Sequence, residues 1–129
     1  MREIKVFECY GWVSVNEDGK TASNIISIIE NTFDKDIGLN THTLGRYMNG
    51  TYKASIMINN NHAGNWNWVK NLYETIAGKS NFSYGIVFFN NDKDINGFEN
   101  EFQTWVLKRG VFAREKDHHL SPRNPTIED

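Results

Sequence analysis

The stretch that decides the fold is IKVFECYGWVSV, residues Ile4 to Val15. Apolar side chains occupy both of its alternating sets. One set is Phe7, Cys9, Gly11, Val13 and Val15, and the other is Ile4, Val6, Tyr10 and Trp12. A strand that is covered on one face only would alternate apolar with polar residues. The stretch is therefore predicted to be a central strand of a sheet, with both faces covered at least in part.

Two segments have the periodicity of amphipathic helices, with apolar residues at spacings of three and four. The first runs from about Ser23 to Asp36, and the second is NWNWVKNLYETIAG, residues 65–78, for which Asn65 is the predicted cap. At first sight, the pair Trp66 and Trp68 suggests an aromatic ligand-binding pocket. Their place in a wide apolar stripe favours packing on a sheet instead.

A hairpin is predicted between the two helices. Asn49-Gly50 joins two β-prone runs, His42 to Met48 and Thr51 to Ile58. Asn-Gly suits a two-residue turn because both central residues need positive φ. That turn would place Arg46 directly opposite Lys53, on the outward face of the hairpin, as two solvated cations.

The rest of the chain predicts three more strands, Phe82 to Phe89, Glu101 to Arg109 and Val111 to Lys116, followed by an extended tail over 117–129. The element order is β-α-β-β-α-β and then a hairpin. The expected fold is therefore α+β: a ferredoxin-like antiparallel sheet with two helices on one face, a C-terminal β-hairpin and a tail, in a single domain over 1–129.

Composition narrows the function classes. The chain has 129 residues, with 14 basic and 16 acidic residues, so a nucleic-acid protein that needs a basic patch is not favoured. Cys9 is the single cysteine, which leaves no internal disulfide. The N-terminus lacks a signal-peptide pattern, and no run reaches the ~20 apolar residues of a membrane helix. A cytoplasmic protein without membrane contact is expected.

The loop Asp92-Lys93-Asp94-Ile95-Asn96-Gly97 matches the first half of a calcium-binding loop. Its twelfth position, however, is Gln103 in place of a bidentate Glu, and a strand precedes it instead of a helix. An acidic, solvated loop carrying Asp92, Asp94, Glu99 and Glu101 is the favoured interpretation, with calcium binding as the alternative.

No convincing catalytic constellation emerges from the residues. Asp117-His118-His119 resembles the Asp-His-His motif of metal phosphoesterases, but the pattern lacks the further Asp and His ligands that such enzymes need. Cys9 lies among apolar residues in mid-strand, which favours a buried small hydrophobe over a nucleophile. Neither a metal nor another cofactor is expected.

The two ends of the chain resemble the bacterial polymorphic-toxin immunity proteins, and among them the family numbered seventh. The matching segments are Tyr10-Gly11-Trp12-Val13, Trp105-Val106-Leu107, Arg109-Gly110, Leu120-Ser121-Pro122, Pro125 and Ile127-Glu128-Asp129. The resemblance implies a small α+β domain that performs no chemistry. It would bind a toxin domain encoded nearby and block its active site or a neighbouring surface.

Two hypotheses follow from these observations. The first is an immunity protein that acts by binding, through contact residues that carry charge on loops or on the outward hairpin face: Asp92, Asp94, Glu99, Glu101, Arg46 and Lys53. The alternative is a small enzyme or a ligand- or calcium-binding α+β domain. In either case Tyr10 and Trp12 are left outside the helix-covered face. They are expected to lie under the C-terminal hairpin and tail, or else to be left for a partner.

Overall fold

The computed structural model describes residues 7–35, 41–46, 51–60, 64–91 and 97–124, and only the backbone of 41–44, 46 and 60. These residues form six strands and two helices. The elements are β1 (Phe7–Val15), α1 (Gly19–Phe33), β2 (Thr41–Arg46), β3 (Tyr52–Asn60), α2 (Asn65–Lys79), β4 (Tyr84–Asn91), β5 (Gln103–Lys108) and β6 (Val111–Glu115).

All six strands join one sheet in the order β2-β3-β1-β4-β5-β6, and each neighbouring pair is antiparallel. The first four strands have the order of a ferredoxin-like sheet, and β5 and β6 extend it beyond β4. The predicted α+β class is confirmed, and so is the central position of the first strand. Ile4 and Val6 of the predicted strand lie outside the described residues.

The helix-covered face of β1 is the centre of the core. Phe7, Cys9, Val13 and Val15 are all buried there. Directly opposed residues of neighbouring strands share a face. The pairing of β1 with β3 and β4 therefore continues this apolar layer through buried residues on both sides: Tyr52, Ala54, Ile56, Ile58, Val87 and Phe89.

The helices cover that layer with their apolar stripes. Ile25, Ile26, Ile29 and Phe33 of α1 are buried, as are Val69, Leu72, Tyr73, Ile76 and Ala77 of α2. In the described residues, no helix is both long enough and apolar enough to span a membrane.

Aromatic rings fill the space between α2 and the strands β4 to β6. Trp66 stacks on Phe89 with ring centroids 4.1 Å apart, and Tyr73 stacks on Phe112 at 4.9 Å. Trp68 meets Phe33 of α1 edge-on at 6.5 Å. The prediction that the paired tryptophans pack on the sheet is confirmed for Trp66, which stacks on Phe89, whereas the Trp68 ring reaches the core through Phe33 of α1.

β1 and β4 approach so closely at Gly85 that no side chain fits there. A Cβ atom on Gly85 would lie 2.3 Å from the carbonyl oxygen of Trp12 and 2.9 Å from the Cα atom of Val13. Glycine at this position therefore allows the two central strands to pair without a local distortion.

Both helix starts differ from the prediction. Helix α1 begins at Gly19, because Asp18 already takes the N-cap position in extended backbone. In α2 the N-cap is Gly64, and Asn65 is the first helical residue. The Asn65 side chain accepts a hydrogen bond from the indole of Trp68 at 3.0 Å. Its role is to fix a core ring.

The predicted register of the β2–β3 hairpin is wrong by one residue. Arg46 pairs with Tyr52, and Lys53 pairs with Gly45. A two-residue turn at Asn49-Gly50 would require Arg46 opposite Lys53. Five residues, 47–51, separate Arg46 from its partner Tyr52, whereas strand partners joined by a two-residue turn are separated by an even number. Asn49-Gly50 itself lies outside the described residues.

Candidate functional site

The acidic loop between β4 and β5 is the first candidate. Glu99 and Glu101 are exposed, whereas Asp92 and Asp94 lie outside the described residues. Neither Glu99 nor Glu101 enters an ion pair with another described residue. Their carboxylates are therefore solvated charges at the surface, as the sequence predicted for this part of the loop.

Asn90 fixes the backbone of that loop. Its side chain is fully buried, and its amide nitrogen donates to the carbonyl oxygens of Glu99 at 3.0 Å and Glu101 at 2.9 Å. The Oδ1 atom of Asn90 has no hydrogen-bond partner among the described residues. Burial of an amide is unfavourable unless it is hydrogen-bonded, so the two donated bonds are what stabilise Asn90 in this position. The two acidic side chains thus project from an anchored backbone.

The hairpin cations do not form the expected pair. The observed register separates Arg46 from Lys53, because Arg46 takes the position opposite Tyr52. Lys53 lies on the face of the sheet away from the helices, where its ammonium donates to the Ser14 hydroxyl at 2.8 Å. The two residues therefore have to be considered separately as contact candidates.

The face of the sheet away from the helices, hereafter the helix-free face, exposes large apolar side chains. Trp12 is 43% exposed, Met57 50% and Tyr84 43%. Trp12 and Tyr84 meet edge-on, with ring centroids 5.9 Å apart. A shallow groove of about 400 Å³ runs along this face, lined by Tyr10, Gly11, Trp12, Ser55, Ile56, Met57, Ile86 and Phe88. We call it the sheet groove.

One end of the helix-free face is covered by the C-terminal tail. The Arg123 guanidinium forms an ion pair with the carboxylate of Glu8, which also accepts a hydrogen bond from the Tyr10 hydroxyl at 2.6 Å. The backbone N–H of Asn124 donates to the Asn100 side chain at 2.8 Å. Burial raises the pKa of Tyr10 to about 12, helped by the adjacent Glu8 carboxylate.

The tail therefore docks beside Tyr10, as the sequence suggested, but it leaves Trp12 uncovered. It meets β1 at Glu8 and beside Tyr10, whereas Trp12 stays 43% exposed at the other end of the groove. The reason is the distance along the strand, since Glu8 and Trp12 are two same-face positions apart. Residues 125–129, including Pro125, lie outside the described residues.

Asp117 organises the tail and is not set up as a metal ligand. Its carboxylate accepts hydrogen bonds from the backbone N–H groups of His119, Leu120 and Ser121 and from the Ser121 hydroxyl, at 2.7 to 3.3 Å. The Ser121 hydroxyl oxygen also accepts the Phe102 N–H at 2.8 Å. Partial burial raises the pKa of Asp117, but these hydrogen bonds outweigh it and hold the pKa below its usual value.

Cys9, a further candidate from the sequence, has a structural role. Cys9 is fully buried, and burial raises the pKa of its thiol far above the ordinary value, so it is packed as a small hydrophobe. Across the part of the chain that the structure describes, no three His, Cys, Asp or Glu side chains lie close enough to hold a metal ion.

The calcium alternative meets a specific obstacle at its twelfth position. Gln103 lies in β5, and its side-chain oxygen accepts a hydrogen bond from the Trp105 indole at 3.3 Å. Gln103 stands in register with Phe89, whose side chain is buried on the helix-covered face. The residue that should close a calcium loop is thus part of the sheet.

The sheet groove is the feature that sequence reasoning did not single out as a site. The signal was the second alternating set of β1, with Tyr10 and Trp12, together with the nearly unbroken apolar run Phe82 to Phe89. These patterns show that both faces carry apolar residues. They do not show how far along β1 the tail reaches.

Comparison with known protein families gives a match. The sequence model of the family described as Immunity protein 7 matches residues 6–129, essentially the whole chain. No curated protein and no solved structure matches the chain. The family match confirms the resemblance carried by the two ends of the sequence.

Proposed function

The chain belongs to the Immunity protein 7 family, and on that basis we propose that it binds a cognate bacterial toxin domain and neutralises it by direct contact. The family match over residues 6–129 is the observation that carries this proposal. The toxin would be encoded nearby, and the producing cell would be protected by occlusion of the toxin's active site or of a surface beside it. This function requires binding but no catalytic step.

The acidic loop supports the proposal as a contact region. Glu99 and Glu101 project from a backbone that Asn90 anchors, so little chain entropy would be lost when a partner binds them. Solvated carboxylates of one sign attract a basic surface and accelerate association. Asp92 and Asp94 belong to the same loop in sequence and are included in the proposed contact region. The partner would present basic residues here, as the substrate cleft of a nuclease does.

Lys53 and Arg46 are proposed as separate contacts. Lys53 is partly exposed on the helix-free face. It is close to Trp12, because Trp12 pairs with Ser55, the next residue of β3 on the same face as Lys53. Arg46 ends the described part of β2, the edge strand of the sheet. Each residue would meet an acidic group of the toxin. The loop remains the stronger candidate, because its charges share one sign and because Asn90 anchors the backbone of Glu99 and Glu101.

Co-expression with the toxin domain of the adjacent gene tests the function. The two proteins are expected to elute as one complex, and cells that make both are expected to grow. Separate elution together with continued killing by the toxin would disprove the proposal.

The contribution of the loop is tested by the double variant Glu99→Gln and Glu101→Gln. Association with the toxin domain is expected to slow, and its rate is expected to depend less steeply on salt. Glu74→Gln is the matched control, because Glu74 is an exposed carboxylate on α2 whose ion pair with Lys70 is a surface pair at 3.9 Å. An equal effect of both variants would show that the loop is not a specific contact.

A further inference from the structure

The sheet groove is a preformed apolar site on the helix-free face. Its walls come from three adjacent strands, with Met57 on β3, Trp12 on β1 and Ile86 and Phe88 on β4. Continuous backbone pairing of β1 with β3 and β4 fixes the positions of these strands. The edge-on contact between Trp12 and Tyr84 further restricts the exposed indole. A ligand would therefore meet a surface that needs little ordering.

Trp and Tyr side chains that become buried at an interface often dominate its binding energy. The groove combines Tyr10, Trp12 and Met57 with a volume of about 400 Å³. That volume accommodates one or two apolar side chains of a partner. The polar lining is small, since Ser55 is the one hydroxyl residue at the rim besides Tyr10.

The acidic loop adjoins this groove. Asn90, which anchors Glu99 and Glu101, lies on the helix-free face one same-face position from Phe88, a wall of the groove. At this end the Glu8 carboxylate is already paired with Arg123. Among the described residues, the Glu99 and Glu101 carboxylates form no ion pair, and Asn90 anchors their backbone near this end of the groove. A complementary partner therefore carries positive charge near its apolar side chain.

A second copy of the chain fits this surface poorly. In a two-fold dimer the same patch faces itself. The loops carrying Glu99 and Glu101 would add negative charge to both sides.

We propose that the sheet groove is the apolar anchor site for the toxin domain, and that it accepts an apolar or aromatic toxin side chain flanked by basic residues that meet Glu99 and Glu101. The inference rests on the proposed function and specifies the surface through which it acts. The groove supplies the short-range packing that slows dissociation, and the loop supplies the charge that speeds association.

The test measures the affinity of the purified toxin domain for Trp12→Ala. Removal of a central aromatic anchor is expected to weaken binding by about 30-fold or more, mainly through faster dissociation. Phe82→Ala is the matched control, because Phe82 is 72% exposed but does not line the groove. Its affinity is expected to equal that of the wild type. Thermal unfolding of both variants confirms that they are folded.

Three results would overturn the inference. If Trp12→Ala and Phe82→Ala both bind the toxin domain as tightly as the wild type, the groove is not the anchor, although the proposed function stands. If light scattering shows a dimer that Trp12→Ala abolishes while its toxin affinity is unchanged, the occupant is a second copy. If the wild type does not bind the toxin domain at all, the proposed function fails together with the inference.

Discussion

The two faces of the sheet are built from the same strands but end in different environments. On the helix-covered face, Phe89 is buried beneath Trp66. On the helix-free face, Trp12 and Met57 remain about half exposed. Both faces of β1 carry apolar residues, so the sequence pattern alone does not distinguish them. The difference shows that coverage is decided by where the helices and the tail pack, and that one apolar face can be left available for binding.

Phe88 and Phe89 provide the most direct test of whether the two faces of the sheet differ in packing. Truncation of the buried Phe89 to Ala is expected to lower the free energy of unfolding by about 3–5 kcal/mol, since it leaves a cavity under Trp66. Phe88→Ala removes an identical, half-buried side chain from the other face, and about 1–2 kcal/mol is expected. Urea unfolding measures both. Equal losses would mean that the two faces do not differ in packing.

Gly85 tests how closely β1 and β4 approach each other on the helix-covered face. Gly85→Ala is expected to destabilise by about 1–3 kcal/mol, because the new methyl group would clash with the backbone of Trp12 and Val13. Gly78→Ala is the matched control within α2, where a Cβ atom meets nothing within 4 Å. Alanine there should stabilise by about 0.5–1 kcal/mol. Shifts of the same sign in melting temperature would contradict the prediction.

Ser121 tests how firmly the tail covers its end of the helix-free face. Its hydroxyl donates to the Asp117 carboxylate and accepts the N–H of Phe102. Ser121→Ala is expected to cost about 1–2 kcal/mol, since a bond to a charged group and a backbone bond are both lost. The fluorescence of Trp12 should change little, because the tail lies at Glu8. A large spectral change of the indole would show that the tail covers the whole face.

The smallest expected effect is a dependence of stability on acidity. The folded state holds the pKa of Asp117 below its usual 3.8, so the unfolded state binds the proton more readily. Its contribution to stability is present above pH 3.8 and is lost as the pH falls through the lower folded value. Asp117→Asn should be less stable at neutral pH and should lack this part of the acid dependence. Parallel acid unfolding curves of the two proteins would disprove the assignment.

Much of the fold was predictable because it depends on patterns that span whole elements. The two apolar sets of β1, and the helical stripes around Ile25 and Val69, were sufficient for the central strand and for the face that the helices cover. The hairpin register was not, because it was inferred from Asn49-Gly50 alone. Pairing within the full sheet placed Arg46 opposite Tyr52 instead. A register inferred from a single turn changes by one residue when the loop length changes by one.

The candidate site was predictable only in part. The exposed carboxylates of Glu99 and Glu101 follow from loop composition. The anchoring of their backbone by Asn90 and the docking of Arg123 on Glu8 join residues far apart in sequence. No periodicity encodes such contacts. These contacts decide how much of Tyr10 and Trp12 the tail covers. The groove is therefore apparent only from the structure.

The central position of β1 also has a consequence for the order of events during synthesis. β1 is translated before both of its partners, β3 and β4, and Phe7 pairs with Asn91 at the far end of β4. The middle of the sheet is therefore completed only after most of the domain has left the ribosome, and pairings so distant in sequence form slowly. Until then its apolar residues lack the neighbouring strand that completes the sheet, and exposed apolar surface makes an incompletely folded chain prone to aggregation. The sheet is therefore complete only in chains that have already been released.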